Sequence, residues 1–339
     1  MKASLVIITY NSAEYIPRLF DSIRRQTIFD QLEVLVLDNL SSDNSAELCR
    51  QHSASWPHPA IVLPQEKNHG FAVATNFGVA RANGKYICSL NADTWLEPDC
   101  LEQLILAVEV SGSVAGAAAQ ADLSSNDIIL STPTGFDVFG RLTAAATDPL
   151  HEYEARGWRP CFMVASAGFL VRRDVWDQIG GFDPAHFMYA EDDDISWKIW
   201  LAGHQSVYVR KAVVHHRSHR SWEIKEFTRY LVNRNNLLVV AKNAQHVLLL
   251  SGVLQVLMLV AEGGLLLVVT RNWKFVRNSY FKAIGDCARM WPHIREMRTF
   301  IRQIRRRSDW EMAQRFLRFR ISRWNMVATF LKGNRPKIK

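Results

Sequence analysis

Strand-like and helical patterns alternate along the first 120 residues, and this alternation is the strongest constraint on the fold. Each run rich in Val, Ile, Leu and Tyr is followed by a segment with apolar residues at helical spacing. Strands that alternate with helices form a largely parallel, doubly wound sheet. The sequence therefore predicts an α/β fold, with strands at 3–9, 32–37, 60–63 and 86–90 and helices at about 12–26, 71–82 and 98–110.

The pattern becomes weaker after residue 120. The segment 121–165 is rich in Ser, Thr, Ala, Asp and Pro, which predicts loops with one or two short strands. Further strands are predicted at 165–171 and 206–209, and a short helix is predicted to start at 172–174.

Polar side chains stand at the ends of three predicted strands, in Thr9-Tyr10-Asn11, Asp38-Asn39 and Asn91-Ala92-Asp93. The carboxyl ends of the strands of an open α/β sheet form the edge where ligands bind. Core packing does not account for polar residues gathered at that edge, whereas a nucleotide site does. There, Asp38 would accept a hydrogen bond from the N3–H of a pyrimidine base.

Asp93 comes directly after an apolar strand and needs a partner if it is buried. Burying a carboxylate is costly unless a cation pairs with it, and a divalent metal ion that carries a diphosphate is such a cation. The alternative is that Asp93 only caps the helix that begins near Pro98. The residues Asn91-Ala92-Asp93 alone do not decide between the two.

A second ligand-binding feature is Asn68-His69-Gly70, which precedes a predicted helix. Backbone N–H groups at a helix N-terminus favour phosphate, so this segment predicts a phosphate contact. The chain has no G-x-G-x-x-G after its first strand and no G-x-x-x-x-G-K-[ST] sequence. Dinucleotide-binding and P-loop enzymes are therefore disfavoured.

Four consecutive acids, Glu191 to Asp194, begin a predicted helix. Acidic residues stabilise a helix N-terminus, so the alternative is a solvated first turn without a function. Aromatic residues flank the run on both sides, at Tyr189 and Trp197, and they favour partial desolvation of one carboxylate. Desolvation makes a carboxylate more basic, which suits a general base.

Three histidines fall within five positions, at His215, His216 and His219. A lone histidine is usually structural, but such a cluster suggests ligand binding. Neutral imidazole binds Mn²⁺ and similar ions, and Arg217 or Arg220 is placed to reach phosphate oxygens.

Taken in order, these motifs resemble the inverting family-2 glycosyltransferases, which have the GT-A fold, and most closely the bacterial branch that includes rhamnosyltransferases of cell-surface polysaccharide assembly. The resemblance covers about residues 3–242. Each motif is modestly specific alone, and their order is strongly specific. The motifs are Ile7-Ile8-Thr9-Tyr10-Asn11, Leu37-Asp38-Asn39-Leu40-Ser41-Ser42-Asp43, Asn68-His69-Gly70-Phe71, Leu90-Asn91-Ala92-Asp93-Thr94, Gly180-Gly181-Phe182-Asp183 and Glu191-Asp192-Asp193-Asp194.

The resemblance implies a role for each matching residue. Asp93 would bind Mg²⁺ or Mn²⁺ as the acid of a D-x-D-like motif, and His216 would be a further ligand or a diphosphate contact. Asp192 would be the catalytic base that deprotonates the acceptor hydroxyl, and Glu191 would orient Asp192 or the acceptor. The nucleotide-sugar donor would be held by Thr9, Tyr10, Asn11, Asp38, Asn68, Gly70, Asn91 and Ala92.

Three residues depart from the pattern of the family. Asn91 occupies the first position of the D-x-D-like motif, so fewer charged ligands would hold the metal. Ala74 replaces a frequent glycine, and Lys198 stands where arginine is common.

The segment 247–270 is apolar, with 17 of its 24 residues from Val, Leu, Met and Ala, and it is long enough to cross a bilayer. Its polar residues Ser251, Gln255 and Glu262 fall within an arc of about 40° at helical spacing. Three arrangements remain open for this helix. It lies in the membrane interface, it packs against protein, or it spans the membrane.

The residues that follow are strongly basic, with 19 Lys and Arg against 4 Asp and Glu from 271 to 339. Apolar residues recur at helical spacing among the arginines, at Ile294, Met297, Ile301 and Ile304. The segment also contains Trp291, Trp310 and Trp324. Basic amphipathic helices with tryptophan suit an anionic membrane surface. The alternative is an arginine-rich helical bundle with a solvated outer face. No nucleic-acid motif accompanies the charge, so nucleic acid is not an expected partner.

The sequence therefore predicts a transferase domain at 1–242 and a membrane-associating helical extension at 243–339. The expected enzyme moves a sugar from a UDP- or dTDP-linked donor, with dTDP-rhamnose as one candidate, to a lipid-linked or cell-surface polysaccharide acceptor at the cytoplasmic face of a bacterial membrane. A non-catalytic protein with the same fold and a processive polysaccharide synthase are the alternatives. The lack of a Q-x-x-R-W sequence weighs against the synthase. Whether the chain forms a homo-oligomer is left open.

Overall fold

A computed structural model describes residues 1–123, 128–130, 135–143, 157–164, 168–217 and 225–318. The predictions for His219, Arg220, Trp324 and parts of 121–165 lie outside these residues. The strands are β1 (Ala3–Thr9), β2 (Leu32–Asp38), β3 (Ile61–Pro64), β4 (Tyr86–Asn91), β5 (Thr94–Leu96), β6 (Val114–Leu123), β7 (Ile128–Leu130), β8 (Gly135–Phe136), β9 (Leu142–Thr143), β10 (Trp158–Cys161), β11 (Phe169–Arg172) and β12 (Gln205–His216).

Helices connect the strands and then form the C-terminal part of the chain. They are α1 (Ile16–Arg24), α2 (Ser45–Ser53), α3 (Gly70–Val79), α4 (Cys100–Glu109), α5 (Arg173–Ile179), α6 (Glu191–Leu201), α7 (Glu226–Asn243), α8 (His246–Thr270), α9 (Trp273–Val276), α10 (Lys282–Arg289), α11 (Trp291–Ile304) and α12 (Asp309–Phe316). A turn of π-helix at Arg277–Phe281 joins α9 to α10.

Ten of the described strands form one mixed sheet whose main order is β10-β12-β6-β11-β4-β1-β2-β3. β4, β1, β2 and β3 are parallel, as the alternation of strands and helices predicts. β11 is antiparallel to both of its neighbours, β4 and β6. The prediction of a doubly wound, mostly parallel sheet is confirmed. The direction of β11 was not predicted, because an apolar run alone does not reveal the direction of a strand.

Alternating side chains of the strands fill two cores, one on each face of the sheet. In β1, Leu5 and Ile7 pack on one face with α1 and α4, whereas Val6 packs on the other with α3, α5 and α6. The same alternation separates Val36 from Leu37 in β2. This period of two is the geometry of a pleated strand that is buried on both faces.

The last strand is longer than the sequence indicated. β12 continues past the predicted end at Val209, and its pairing with β6 becomes irregular between Val209 and Val213. Arg210 and Lys211 are exposed at this irregularity, and their charges interrupt the apolar pattern that marks a strand. The continuation pairs with β5, with His216 opposite Thr94.

The C-terminal helices pack against the sheet domain. α7 contacts α6, α8, α10 and α11, and it ends at Asn243, one residue beyond the predicted boundary. Ile294 and Ile301 of α11 are buried against the protein, so the expectation that the apolar face of this helix meets a membrane is wrong. Three arginines of the basic segment, Arg298, Arg305 and Arg307, donate to backbone carbonyl groups of α6 and α7.

Candidate active site

The ends of β1, β2 and β4 meet at one edge of the sheet. The strand register places Thr9 opposite Asp38 and Ile8 opposite Asn91. An open cleft of about 560 Å³ lies at this edge. Asp93 and Asp192 both line it, so the two acids with the largest implied roles share one cleft. The other lining residues include Tyr10, Asn11, Tyr15, Asn39, Asn68, Phe71, Asn91, Ala92, Met188, Tyr189, Ala190 and Glu191.

Thr9 and Asp38 lie behind the lining of the cleft. Thr9 is fully buried, and its hydroxyl donates a hydrogen bond of 2.9 Å to Asp38 Oδ1. The hydroxyl and the backbone N–H of Ser41 also donate to the Asp38 carboxylate. These contacts give the pair a role in holding the segment after β2. The direct contact between Asp38 and a base stays a prediction.

The segment Asn68-His69-Gly70 differs from its expected role. The N–H groups of His69 and Gly70 donate to the side-chain oxygens of Asn39 and Asn68, each at 2.9 Å. The N–H of Ala72 donates to Phe187 O at 3.2 Å. These amides are engaged within the protein, so the prediction that this helix N-terminus binds phosphate is not supported.

Gly70 serves close packing instead. Its φ is +77°, and a Cβ atom at this position would lie 2.4 Å from the carbonyl oxygen of Phe187. Only glycine lets the start of α3 approach the segment before α6 this closely.

Asp93, Asn91 and His216 form the polar end of the cleft. Pairing of β12 with β5 brings His216 Nε2 to 3.2 Å from Asp93 Oδ1 and to 3.5 Å from Asn91 Nδ2. His215 points elsewhere, because its ring stacks on Trp95 and its Nε2 lies 2.7 Å from Glu97 Oε1. Of the two described histidines of the cluster, His216 alone reaches Asp93.

These residues suit a divalent cation. A carboxylate, a side-chain amide and a neutral imidazole are ligands for Mn²⁺, and oxygen donors suit Mg²⁺. Both Asp93 and His216 are partly exposed, with side chains 25% and 22% accessible, so an ion that carries a diphosphate can reach them.

A second acidic cluster, formed by Asp183, His186 and Asp194, is close enough to hold a metal ion. The ammonium group of Lys242 already lies between these acids, 3.1 Å from Asp194 Oδ1 and in contact with Asp183. All four side chains are buried. A lysine therefore supplies the cation that this buried cluster requires.

The acidic run at the start of α6 is not a solvated turn. Asp194 is fully buried and pairs with Lys198 at 3.3 Å and with Lys242. Glu191 is 5% exposed, and its Oε2 has no hydrogen-bond partner among the residues that the structure describes. Burial and the adjacent Asp192 raise the pKa of Glu191 to about 8. Asp192 is partly exposed at the cleft.

Glu191 predicts a measurable pH dependence of stability. Its pKa is higher in the folded protein than its ordinary value of 4.5, so the folded state binds the extra proton between pH 4.5 and about 8. Stability therefore falls as the pH rises through this range. Urea unfolding at several pH values should show a smaller decline for Glu191→Gln than for the wild type. Glu47→Gln, at an exposed position on α2, serves as the control and should leave the slope unchanged.

Several lining residues were given no specific role from the sequence. Asn39 was expected at the polar edge beside Asp38, but no contact was assigned to it. Tyr15 and Phe71 belong to helical patterns that predicted only core or surface. Met188, Tyr189 and Ala190 reach the cleft because of an unusual backbone conformation, for which the sequence carries no signal.

Comparisons with known proteins identify the family of the chain. The family model described as glycosyl transferase family 2 matches residues 4–180. The O-antigen chain rhamnosyltransferase RfbN of Salmonella typhimurium is 27% identical over 234 residues, which cover 68% of this chain and 70% of RfbN. The glycosyltransferase GlyA of Streptococcus pneumoniae is 24% identical over 217 residues, which cover 64% of this chain and 30% of GlyA. The chain thus spans less than a third of the length of GlyA.

Among solved structures, GalNAc-T7 with UDP, GalNAc and Mn²⁺ is similar in fold, with a TM-score of 0.61 and 18% identity. The match covers 71% of this chain and 48% of GalNAc-T7. At this identity the likeness concerns the fold alone. The family match covers more than half of the chain and includes the strand ends that form the cleft. The chain therefore belongs to glycosyl transferase family 2 and has the GT-A fold.

Proposed function

We propose that the protein transfers a sugar from a nucleoside-diphosphate sugar to an acceptor hydroxyl, with inversion at the anomeric carbon. The observation that carries the proposal is the shared cleft of Asp93 and Asp192 at the carboxyl edge of the sheet. The uridine or thymidine diphosphate of the donor would lie along Tyr10, Asn11 and Asn68, towards Asn91 and Ala92. RfbN is a rhamnosyltransferase and GalNAc-T7 is seen with UDP, and both relatives support a rhamnosyl or UDP-linked donor.

Asp192 is the proposed base. Burial and the neighbouring Asp192 raise the pKa of Glu191 to about 8, which favours the protonated form of Glu191 at neutral pH. Asp192 then takes the proton of the acceptor hydroxyl, whose oxygen attacks the anomeric carbon from the side opposite the diphosphate. Displacement from the opposite side inverts that carbon. The protonated Glu191 is available to donate a hydrogen bond to the acceptor.

Asp93, His216 and Asn91 would hold Mg²⁺ or Mn²⁺. When bound, such an ion neutralises the negative charge of the departing diphosphate. His216 Nε2 and Asp93 Oδ1 lie 3.2 Å apart, a separation that would let both atoms bind one ion.

Removal of the metal ligands tests the proposed site. A panel of nucleoside diphosphates with Mn²⁺ should raise the melting temperature of the wild type, and Asp93→Asn should abolish the part of the shift that depends on Mn²⁺. His216→Gln should weaken it. His215→Gln is the matched control, because His215 pairs with Glu97 instead of Asp93. An unchanged Mn²⁺-dependent shift in Asp93→Asn would remove Asp93 from the site.

Turnover distinguishes an enzyme from a binding protein of the same fold. Metal-dependent release of free nucleoside diphosphate from a nucleotide sugar, with transfer to an added acceptor, is the expected result. Donor binding without any release across the panel of UDP- and dTDP-sugars would favour the non-catalytic alternative. Products that carry many added sugars per acceptor would favour the processive synthase.

We further propose that the acceptor is lipid-linked or membrane-proximal and that α8 lies in the cytoplasmic interface of a bacterial membrane. Among the described residues, α8 is the one helix long and apolar enough to cross a bilayer. Ser251 and Gln255 face the protein, and Glu262 pairs with Arg141. The outer face is apolar, with eight side chains from 42% to 76% exposed, namely Val247, Leu249, Leu250, Val253, Leu257, Val260, Leu265 and Val268.

The orientation of α8 favours lying on the membrane over spanning it. One side of the helix packs on α7 and α12, so lipid can cover only the outer side. Trp310 is exposed on α12, which packs on α8. Trp273 is exposed just after the end of α8. Tryptophan is enriched at the membrane–water interface. Basic residues at Arg271 and Lys274 are exposed beside Trp273 and suit anionic headgroups.

Vesicle binding tests this arrangement. The wild type should co-sediment with anionic phospholipid vesicles at moderate salt, and Leu250→Glu/Leu257→Glu should remain in the supernatant because it places two charges on the outer face. Val110→Glu, at a position 62% exposed beside α4, is the matched control and should sediment like the wild type. A wild type that stays in the supernatant contradicts the membrane proposal.

A further inference from the structure

The segment just before α6 has a strained backbone. Phe187, Tyr189 and Ala190 have φ values of +61°, +71° and +63°, a conformation that residues with a Cβ atom rarely adopt. The N–H of Met188 donates to His186 O at 2.7 Å, which closes a γ-turn centred on Phe187. Strain of this kind persists only where the surroundings hold it. The segment leads directly into Glu191 and Asp192.

The side chain of Asn235 on α7 holds this segment. Its Nδ2 group lies 2.8 Å from each of three carbonyl oxygens, those of His186, Met188 and Tyr189. Asn235 is fully buried, so solvent does not reach its amide group. One amide group therefore contacts most of the strained turn.

Arg234 fixes the orientation of that amide. Its Nε donates to Asn235 Oδ1 at 2.9 Å, which directs Nδ2 of Asn235 towards the turn. Its Nη2 donates to Ala185 O at 2.8 Å and to His186 O at 3.2 Å. The two neighbouring side chains of α7 together bind the carbonyl groups of residues 185, 186, 188 and 189.

His186 supports the turn from within. Burial and the neighbouring Lys242 lower the pKa of His186 to about 4, so its imidazole is neutral at physiological pH. Its Nε2 lies 3.2 Å from Lys242 Nζ, which can only donate. The ring proton is therefore on Nδ1, which lies 3.4 Å from Tyr189 O.

We infer that Asn235 is a positioning residue, which holds the strained turn 186–190 so that the first turn of α6 presents Asp192 and Glu191 to the cleft. This inference rests on the proposed function, because it assigns Asn235 a task in the sugar transfer. Without the amide, the carbonyl oxygens of His186, Met188 and Tyr189 each lose one hydrogen-bonding contact. The turn is then free to relax to negative φ values, and relaxation would rotate the start of α6 away from the acceptor.

The test compares two neighbouring asparagines of α7. Asn235→Ala should lower kcat about 100-fold, the size of effect that a displacement of about 1 Å produces at a catalytic group. Its affinity for nucleoside diphosphate and Mn²⁺ should equal that of the wild type, because Asn91, Asp93 and His216 stand on other elements. Asn236→Ala is the matched control and should keep the wild-type kcat, because the Asn236 amide donates to Val232 O of its own helix.

Amide hydrogen exchange gives a readout that does not require activity. In Asn235→Ala, exchange should become faster in residues 186–193 and stay unchanged in the strands of the sheet. A wild-type kcat or unchanged exchange in residues 186–193 would overturn the inference, and so would loss of diphosphate binding or faster exchange throughout the domain. If the wild type transfers no sugar, the proposed function fails, and local exchange still decides whether Asn235 holds the turn.

Discussion

Asp192→Asn is expected to slow sugar transfer severely and to leave nucleoside-diphosphate binding nearly intact. Asparagine keeps the shape of the side chain but cannot accept a proton at neutral pH. The rate of transfer should fall by about 10²- to 10⁴-fold, the usual contribution of a general base. Steady-state kinetics gives the rate of transfer, and calorimetry on the same preparation gives the affinity for the diphosphate with Mn²⁺.

The control for Asp192 is Asp177→Asn. Asp177 is an exposed acid on α5 that pairs with Arg173, so its loss should change neither transfer nor binding. Near-wild-type turnover of Asp192→Asn would remove Asp192 from the catalytic role. Equal loss of transfer and binding would make it a donor-binding residue.

Lys242→Met is expected to lower the free energy of unfolding strongly. Lys242 is buried between Asp183 and Asp194, and methionine matches its length without its charge. Breaking a buried ion pair on one side typically costs about 3–5 kcal/mol, because the remaining charge stays buried without compensation. Urea unfolding at pH 7 measures the loss.

The stability of the protein at low pH gives an independent test of the ion pair between Lys242 and Asp194. Burial acts to raise the pKa of Asp194, but Lys242 and Lys198 lower it to about 2. A depressed pKa contributes stability above pH 3.8 that is lost as the pH falls towards 2. In Lys242→Met this contribution is reduced, so the difference in stability from the wild type should narrow as the pH falls.

Lys282→Met is the matched control for Lys242→Met. Lys282 pairs with Asp286 at the surface of α10, and its side chain is 51% exposed. Surface pairs contribute about 0–1 kcal/mol. If both methionine variants lose the same small amount of stability, the buried ion pairs of Lys242 with Asp183 and Asp194 do not stabilise the protein as their geometry indicates.

The sequence predicted the parts of the fold that local patterns encode. Alternating runs identified β1, β2 and β4, and the polar residues at their ends identified the cleft edge. The three polar residues of α8 predicted one stripe, and the structure turns this stripe towards the protein. In each case neighbours in sequence are also neighbours on one face of an element, so spacing alone carries the information.

The remaining features depend on contacts between distant segments. The antiparallel direction of β11 is evident only from its pairing with β4 and β6, which are distant from it in the sequence. His216 meets Asp93 because β12 continues beyond the charged residues 210 and 211 to pair with β5. The apolar stripe of α11 packs on protein, although its spacing suits a membrane helix equally well. Spacing does not identify the partner of an apolar face.

α7 connects the candidate active site with α8. Asn235 and Lys242 contact the segment that leads to Asp192, and α8 packs against the same helix. A membrane contact at the outer face of α8 would therefore place the cleft at a defined height above the lipid. Such an arrangement suits a lipid-linked acceptor, whose hydroxyl also lies at a fixed height.

The central claim is that Asp93 and Asp192 act in one cleft on one nucleotide sugar. The most direct measurement is anomalous X-ray diffraction from crystals soaked with Mn²⁺ and the nucleoside diphosphate that most raises the melting temperature. The account predicts an anomalous peak at Asp93 and His216, with the diphosphate on the ion and its sugar-bearing end directed towards Asp192. A peak at Asp183 and Asp194, or a diphosphate bound outside this cleft, would contradict it.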